Sequence, residues 1–238
     1  MNALTVSVDY DDLLAITLPR NARHFDKVLV VSTPKDAATA AVVAAVPNAR
    51  LFTTRAFYHD GAPFAKGLAV EQGLDALGRD GWLCIFDADT LLPEAPDWTP
   101  LARGRLHVPR RRILSHVEKW TPDLNWAACP VVDDREHAGY CQVFHADDPV
   151  LRNRRPWYGV RWRTAAGCDS DFMHLWPPER RAWLPWHVLH IGFHGLNWCG
   201  RWTPRIDGQP PRDADAHAEA QGRLRDDRKS HGYRKEQF

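Results

Sequence analysis

The sequence lacks the features of secreted, membrane-spanning and zinc-stabilised proteins. Its five cysteines include no Cys-x-x-Cys pair, which argues against a disulfide framework and a structural zinc site. It has no run of about 18 apolar residues, so no membrane-spanning helix is predicted. Residues 1–9 lack the basic and apolar regions of a signal peptide. These absences predict a protein of the reducing cytoplasm with no membrane partner.

A strong net charge and the common hydrolase motifs are also missing. The chain has 31 Lys and Arg against 30 Asp and Glu, so its formal net charge is +1 and any anionic ligand must be held by local clusters. The absence of Gly-x-Ser-x-Gly and His-Glu-x-x-His motifs disfavours a hydrolase. Tryptophan is plentiful instead: eleven occur in 238 residues, and the indole ring stacks on sugars and bases as well as filling cores.

Short apolar runs alternate with helix-like segments along the first half of the chain, which predicts an α/β domain with a mostly parallel central sheet flanked by helices. We assign this single domain to residues 1–203 and interpret the polar residues 204–238 as a solvated tail or helix. Strands are predicted at residues 4–8, 27–32, 49–53, 82–86, 139–146 and 188–191, and helices at 11–25, 33–46, 66–77 and 169–176.

Two aspartates, Asp87 and Asp89, follow the strand predicted at 82–86. Ligands of open α/β sheets bind beyond the carboxyl ends of the strands, which is where these two side chains are expected. Carboxylate oxygens suit Mg²⁺ and Mn²⁺, which also share their coordination sphere with phosphate oxygens. A turn-forming role is the alternative, because aspartate is common after strands. The pattern favours a divalent cation site at Asp87 and Asp89.

The order of these landmarks resembles that of the GT-A glycosyltransferases, metal-dependent enzymes whose Rossmann-related α/β domain carries an Asp-x-Asp motif after a central strand. The resemblance covers about residues 4–202. It implies that Asp87 and Asp89 hold Mn²⁺ or Mg²⁺ against the diphosphate of a nucleotide-sugar donor such as a UDP-sugar, and that Asp87 also contacts the donor.

A histidine-containing segment, residues 189–198, follows the last predicted strand and reads Leu-His-Ile-Gly-Phe-His-Gly-Leu-Asn-Trp. It resembles the end of glycogenin-type GT-A enzymes, in which a histidine completes the metal site and a loop ending in tryptophan covers the phosphates. The resemblance implies metal roles for His190 and, as a second candidate, His194, with Trp198 at the donor. The glycine falls one position away from the family's pattern, and a buried structural role for His190 is the alternative.

An acidic segment, residues 162–172, resembles the part of β-galactosyltransferase-like enzymes in which acidic residues bind and deprotonate the acceptor. A sugar hydroxyl is a poor nucleophile, so a carboxylate within hydrogen-bond reach must take its proton. The resemblance implies that Asp169 is this base, with Asp171 as second candidate. The presence of a candidate base favours inversion of the anomeric configuration. Cys168 stands where the family has glycine, and an N-cap role for Asp169 or Ser170 is the alternative.

Four further residues are candidates for binding the nucleotide. Asp9 and Asp36 follow the first two predicted strands, and Lys66 opens a predicted helix, where a phosphate can be held. Arg20 is the fourth candidate. An ordinary surface charge is the alternative for each of them.

Two basic clusters bear on the acceptor, because arginines interleaved with aromatic side chains bind phosphates and stack on bases. They keep a hydroxymethylated pyrimidine in DNA open as acceptor, beside a saccharide or another small molecule. The first cluster contains Arg103, Arg105, His107, Arg110, Arg111 and Arg112, and the second Arg152, Arg154, Arg155, Arg161 and Arg163 with Trp157, Tyr158 and Trp162.

Two other functions stay open on the sequence. A sugar-phosphate nucleotidyltransferase also needs paired acids and a metal, although residues 8–12 lack the Gly-rich basic loop that such enzymes carry after the first strand. A non-catalytic carbohydrate- or nucleic-acid-binding module would use the tryptophan-rich surface. The sequence does not indicate an oligomeric state.

Overall fold

A computed structural model describes residues 1–132, 139–192, 197–211, 219–220 and 222–223. One sheet of the described chain has the strand order β3-β2-β1-β4-β7-β6-β8-β5. Its strands are β1 (Asn2–Val6), β2 (Lys27–Ser32), β3 (Ala49–Thr53), β4 (Trp82–Asp87), β5 (Thr90–Leu91), β6 (Leu106–Leu114), β7 (Cys141–His145) and β8 (Arg181–Ile191), and its α-helices are α1 (Asp11–Asn21), α2 (Ala37–Ala44), α3 (Lys66–Leu77) and α4 (Cys168–Met173). Short 3₁₀ turns lie at Ala22–His24, Ala56–Gly61, Val117–Lys119, Trp126–Ala128 and Pro178–Arg180.

The amino-terminal half of the sheet is parallel, as predicted. β2 pairs with β1 and β3, and β1 pairs with β4, all in parallel. Helix α3 lies against β1 and β2, and Gly73 permits the close approach: a Cβ atom there would lie 2.5 Å from Val31 Cγ2 and 2.8 Å from Leu4 Cδ1. The helix begins and ends at the predicted residues, Lys66 and Leu77, with Gly78 in the left-handed region at φ 95° after its end.

The other half of the sheet is mixed. β7 runs antiparallel to β4 and β6, β8 runs parallel to β6, and β5 runs antiparallel to β8. The predicted α/β class and central sheet are confirmed, and β4, the strand that leads into Asp87, lies in the interior of the sheet between β1 and β7. The parallel character that the sequence predicted holds for β1 to β4 and for the β6–β8 pair.

Strand β6 was not predicted, because three consecutive arginines occupy its centre. The structure accommodates these charges without breaking the strand, since the guanidinium groups stack on aromatic rings or bind carbonyl oxygens. Arg110 and Arg111 lie 4.6 Å from the ring centroids of Trp183 and Tyr140, respectively. Arg112 donates to the carbonyl oxygens of Ala127 and Cys129.

The segment after the last strand lies against α1. The Arg201 guanidinium is fully buried and is paired with Asp12, and Arg205 Nη2 lies 2.8 Å from Asp11 Oδ2. The backbone N–H of Ile206 donates to Asp12 Oδ2 at 2.9 Å. In the part of the chain that the structure describes, no helix is long and apolar enough to span a bilayer. The proposed boundary between residues 203 and 204 stays a prediction.

Candidate functional site

A cavity of about 340 Å³ lies at the carboxyl ends of β1 and β4. Its walls come from separate parts of the chain: the residues that follow β1 and β4, the first residue of α3, the start of α4, the end of β8 and the segment 197–200. The side chains that carry its chemistry are Lys66, Asp87, Asp89, Arg111, Asp169 and His190, and Val6, Val8, Tyr10, Tyr140 and Trp198 also line it.

Three predicted metal ligands meet in this cavity. One ligand atom from each of Asp87, Asp89 and His190 lies within 4.8 Å of the other two. The short strand β5 holds them together, because Thr90 is paired with His190 across the sheet and the backbone N–H of Ile191 donates to Asp89 O at 2.8 Å. The two acids after β4 and the histidine near the end of β8 are therefore fixed relative to each other.

The orientation of His190 fits a metal ligand. Its Nδ1 lies 3.0 Å from the carbonyl oxygen of Gly192 and must carry the proton, because a carbonyl oxygen only accepts. In the neutral ring the Nε2 lone pair then faces Asp89 Oδ1 at 3.6 Å. That oxygen is buried and has no hydrogen-bond partner among the described residues. Two lone-pair atoms in this arrangement require a cation or a proton between them, so the donor set fits a divalent cation.

The pKa of Asp89 is raised by burial. The charge of Asp87 adds to this effect, whereas His190 and Lys66 oppose it. A bound cation would reverse the balance by favouring the ionised carboxylate, since metal ligands must be deprotonated. Burial beside a second acid therefore disfavours the ionised form of the Asp89 carboxylate.

Lys66 adds a positive charge to the cavity. Its Nζ lies 2.5 Å from Asp87 Oδ1, and its side chain is 13% exposed. Burial lowers the pKa of Lys66, but Asp87, Cys168 and Asp169 outweigh that effect and raise it above the usual lysine value. Lys66 therefore stays protonated at neutral pH and keeps a positive charge beside Asp87.

Asp169 also lines the cavity, in the first turn of α4. Burial raises the pKa of its carboxyl, Lys66 opposes this rise, and Asp87 adds to it. The N-cap of α4 is Gly167, in the left-handed region at φ 100°, so the alternative in which Asp169 or Ser170 caps this helix is wrong. One oxygen of the Asp169 carboxylate accepts from the backbone N–H of Ser170 at 2.9 Å, and the side chain borders the cavity.

Gly139 makes room for this carboxylate. A Cβ atom at position 139 would lie 2.1 Å from Asp169 Oδ2 and 2.2 Å from Asp169 Cβ. We expect Gly139→Ala to displace the Asp169 side chain and to change the shape of this cavity, because a Cβ atom cannot lie so close to it. A crystal structure of the variant checks this, and an Asp169 carboxylate in its wild-type position would contradict the expectation.

The second candidate base, Asp171, does not line the cavity. Its carboxylate accepts hydrogen bonds from Arg161 Nε and Nη2, both at 3.0 Å, and from Trp162 Nε1 at 2.8 Å. Its partners hold it on the outer side of α4. A two-residue step in a helix places Asp169 and Asp171 on different faces, but the sequence does not indicate which of the two faces borders the cavity.

Two candidates for nucleotide binding, Asp9 and Asp36, join β1 to α2 and lie outside the cavity lining. Asp36 is the N-cap of α2 and accepts from Thr39 N at 3.2 Å and from Thr39 Oγ1 at 2.8 Å. The backbone N–H of Asp9, at a positive φ of 62°, donates to Asp36 Oδ2 at 2.8 Å. The contacts of Asp36 are those of a helix cap at the end of β2.

The remaining candidates fall in different parts of the structure. Arg20 donates to the carbonyl oxygen of Ile16 and lies over the ring of Trp120, on α1 and away from the cavity. Trp198 lines the cavity, and its carbonyl oxygen accepts from Ala165 N at 2.8 Å. His194 lies outside the described residues.

Sequence reasoning missed Tyr10, which lines the cavity beyond β1, and Tyr140, which precedes β7. Their positions at strand ends on the ligand-binding edge were the available signal. Tyr10 packs against the guanidinium of Arg201 at 4.8 Å. The sequence gives no sign of this contact, because the two residues are far apart along the chain.

No protein-family model and no curated protein matches this sequence. Among solved structures, the chain is similar to the galactosyltransferase LgtC in complex with donor and acceptor sugar analogues, with 14% identity over 93% of this chain and 95% of that one and a TM-score of 0.49. It is also similar to a 4-diphosphocytidyl-2C-methyl-D-erythritol synthase from Anaerococcus prevotii, with 13% identity over 92% and 94% of the two chains and a TM-score of 0.45. An inositol-1-phosphate CTP transferase from T. maritima shows 7% identity over 80% and 84% and a TM-score of 0.45. These similarities assign the chain to no family.

Proposed function

We propose that this protein is a metal-dependent glycosyltransferase that moves a sugar from a nucleotide-diphosphate sugar, such as a UDP-sugar, to an acceptor hydroxyl. Asp87, Asp89 and His190 would hold Mn²⁺ or Mg²⁺ in this role. The observation that carries the proposal is that ligand atoms of these three residues lie within 4.8 Å of one another. One oxygen of the group, Asp89 Oδ1, is buried and has no hydrogen-bond partner in the described chain. A binding module has no need for such a costly arrangement.

The cavity offers separate places for the parts of a nucleotide sugar. When bound, the cation supplies the charge that neutralises the diphosphate and makes it a better leaving group. The Lys66 ammonium, 2.5 Å from Asp87 Oδ1, adds to this charge. Val6, Val8 and Tyr10 form a wall on which a nucleoside can pack, and Trp198 borders the same cavity.

Asp169 is the group we assign to proton transfer. Its carboxylate accepts the proton of the acceptor hydroxyl while the hydroxyl oxygen forms a bond to the anomeric carbon. The bond between that carbon and the diphosphate oxygen breaks, and the nucleoside diphosphate departs with the electron pair. A single displacement of this kind inverts the anomeric configuration, so product stereochemistry is a direct check of the assignment.

The pH dependence follows from the raised pKa of the Asp169 carboxyl, which burial causes and Lys66 opposes. The base must be ionised to accept a proton, so turnover should fall as the pH decreases through this pKa, which lies above the ordinary aspartate value. We expect a kcat profile with an acidic limb whose midpoint lies above the ordinary aspartate pKa. A rate that rises as the pH falls below neutrality would contradict the role of Asp169 as base.

A thermal-shift experiment tests the proposal. UDP with Mn²⁺ should raise the melting temperature more than the sum of UDP alone and Mn²⁺ alone, because a ligand that binds only the folded state stabilises it. Incubation with UDP-sugars and acceptors should then release UDP. Turnover only with a nucleoside triphosphate and a sugar phosphate would identify a nucleotidyltransferase instead. Nucleotide binding with the same affinity with and without metal, and no turnover, would identify a binding module.

Two acceptor classes, saccharides and hydroxymethylated pyrimidines in DNA, stay predictions of the sequence. Transfer of a radiolabelled sugar to hydroxymethylated duplex DNA, compared with a saccharide panel under the same conditions, separates them. Label in the DNA supports the nucleic-acid acceptor, and label only in saccharides removes it. The cytoplasmic location is likewise a prediction from the sequence.

A further inference from the structure

A second cavity, of about 700 Å³, lies at the opposite end of β4 from the metal ligands. Its wall includes Ala146, whose backbone N–H donates to Gly81 O, just before β4 begins, whereas Asp87 ends that strand. Four separate segments bring arginines to it: the loop after α3, the loop before β6, the segment after β7 and the 3₁₀ turn before β8. These arginines are Arg79, Arg103, Arg152, Arg155 and Arg180, and we call this cavity the arginine pocket.

Arg79 is the buried member of the arginine pocket. Its side chain is 6% exposed, and Glu71 and Asp75 hold it through Nη2 at 2.7 Å and Nε at 2.8 Å. Its third nitrogen, Nη1, is buried and has no hydrogen-bond partner in the described chain. A buried charged donor without an acceptor is destabilising, and the positive potential that it leaves at this wall favours an anion in the pocket.

The other arginines give the pocket an excess of positive charge. Arg152, Arg155 and Arg180 are exposed, and in the described part of the chain none of them forms an ion pair with a carboxylate. Two acids line the pocket, but the carboxylate oxygens of Asp148 accept from Gly104 N and Trp176 Nε1, and Asp147 lies 4.0 Å from Arg103. This excess is local, because the whole chain has a formal net charge of +1.

Trp157 shows which part of a ligand the arginine pocket would recognise. The guanidinium groups of Arg79 and Arg155 each lie 4.6 Å from the centroid of its ring, and the ring is buried. A base therefore cannot stack on it. Guanidinium groups bind phosphate oxygens with paired N–H donors, and all five cationic side chains that line the pocket are arginines.

We propose that the arginine pocket binds the sugar-phosphate backbone of a nucleic acid. A single phosphate can engage only some of five arginines contributed by four segments, whereas successive phosphates of a strand can contact them in turn. Binding through phosphates, without base stacking, makes the interaction independent of nucleotide sequence and dependent on salt. The pocket is distinct from the metal-ligand cavity, so this proposal does not depend on the transferase function.

The structure also regroups the two basic clusters that the sequence suggested. Arg103 of the first cluster and Arg152 and Arg155 of the second meet in the arginine pocket, together with Arg79 and Arg180, which neither cluster contained. The arginines at the centre of β6 and the pair Arg161 and Arg163 are engaged elsewhere, on aromatic rings, carbonyl oxygens and the Asp171 carboxylate.

Fluorescence anisotropy with a labelled oligonucleotide of about 16 nucleotides, longer than one local contact, tests the proposal across a salt series without metal or nucleotide sugar. The double variant Arg152→Gln/Arg180→Gln removes two exposed charges. The matched control, Arg23→Gln/Arg55→Gln, removes two exposed charges outside both cavities. We expect the pocket variant to bind at least 10-fold more weakly and its log–log salt slope to shrink by roughly 1.4–1.8, and the control to bind like wild type.

Several outcomes would overturn the proposal: equal binding by the pocket variant and wild type, equal weakening in the control, or a wild-type affinity unchanged by salt. Inorganic triphosphate and unlabelled oligonucleotide are compared as competitors at the same phosphate concentration. If both displace the labelled oligonucleotide equally well, the pocket is a site for small phosphates. Equally effective competition by polyglutamate would identify an acidic-protein site. The melting-temperature rise with UDP and Mn²⁺, measured on both variants, should match wild type, so failure here is distinguishable from failure of the transferase proposal.

Discussion

Asp89→Asn is expected to abolish the joint stabilisation by UDP and Mn²⁺ and to lower sugar transfer at least about 100-fold, because loss of a metal ligand costs more than loss of a residue that only orients one. Asparagine keeps the shape of the side chain but removes the charge that the cation needs. The buried Asp89 oxygen lies 3.6 Å from His190 Nε2, so the substitution acts at the centre of the proposed metal site. Calorimetry of UDP at several Mn²⁺ concentrations, beside steady-state transfer rates, measures both effects.

Two other aspartates provide matched controls for this substitution. Asp169→Asn should keep the binding of UDP and Mn²⁺ and lower kcat by roughly 10²–10⁴-fold, the usual contribution of a general base. Asp171→Asn changes the same atoms in the same helix, but its carboxylate is held by Arg161 and Trp162, so its effect on kcat should be much smaller. Wild-type rates in both Asp89→Asn and Asp169→Asn would refute the site assignment.

Arg201→Met is expected to destabilise the fold by about 3–5 kcal/mol, the cost of leaving a buried ion pair with one partner. The guanidinium is fully buried, is paired with the Asp12 carboxylate, and donates to the carbonyl oxygens of Asp9, Thr203 and Pro204. Methionine fills a similar volume but leaves these acceptors without their donor. For a chain of this length the melting temperature should fall by roughly 6–20 °C.

The pH dependence of stability provides a second check on this ion pair. Burial opposes the ionisation of Asp12, but the hydrogen bonds and charge of Arg201 outweigh it and lower the pKa of that carboxyl. A lowered pKa contributes stability that is present above the ordinary aspartate value and is lost as the pH falls through the folded-state pKa. Wild type should therefore lose more stability on acidification than Arg201→Met does, and equal acid sensitivity would contradict the role of the pair.

Arg161→Met is the matched control for this stability prediction. Arg161 also pairs with an aspartate, Asp171, but its side chain is 73% exposed. Exposed ion pairs contribute about 0–1 kcal/mol, so this variant should melt close to wild type. Similar losses in Arg161→Met and Arg201→Met would mean that burial does not set the strength of these pairs.

The two aspartates of the metal-ligand cluster could be predicted from the sequence alone. Asp87 and Asp89 follow an apolar strand, and a parallel sheet delivers such residues to its ligand-binding edge. His190 entered through resemblance rather than geometry. The two-residue strand β5, which pairs Thr90 with His190, is too short to give a sequence signal, yet it holds the three ligands together.

Other features depended on contacts between distant residues and could not be predicted. The three arginines of β6 suggest a surface cluster. In the structure they lie within a strand, where aromatic rings from β8 and from the turn before β7 pack against two of their guanidinium groups. Asp36 has the residue type and position for a ribose contact, and only the structure shows that its side chain caps α2. The sequence gives the type and order of the side chains, whereas the direction in which each side chain points depends on the packing of the folded chain.

The most direct test of the metal site is a crystal structure with UDP and Mn²⁺, with anomalous diffraction data collected at the manganese edge. We expect one strong anomalous peak within direct ligand distance of Asp87, Asp89 and His190, with the diphosphate of UDP on the same ion. A structure that contains UDP in this cavity and has its manganese peak elsewhere, or has none, would contradict the proposal.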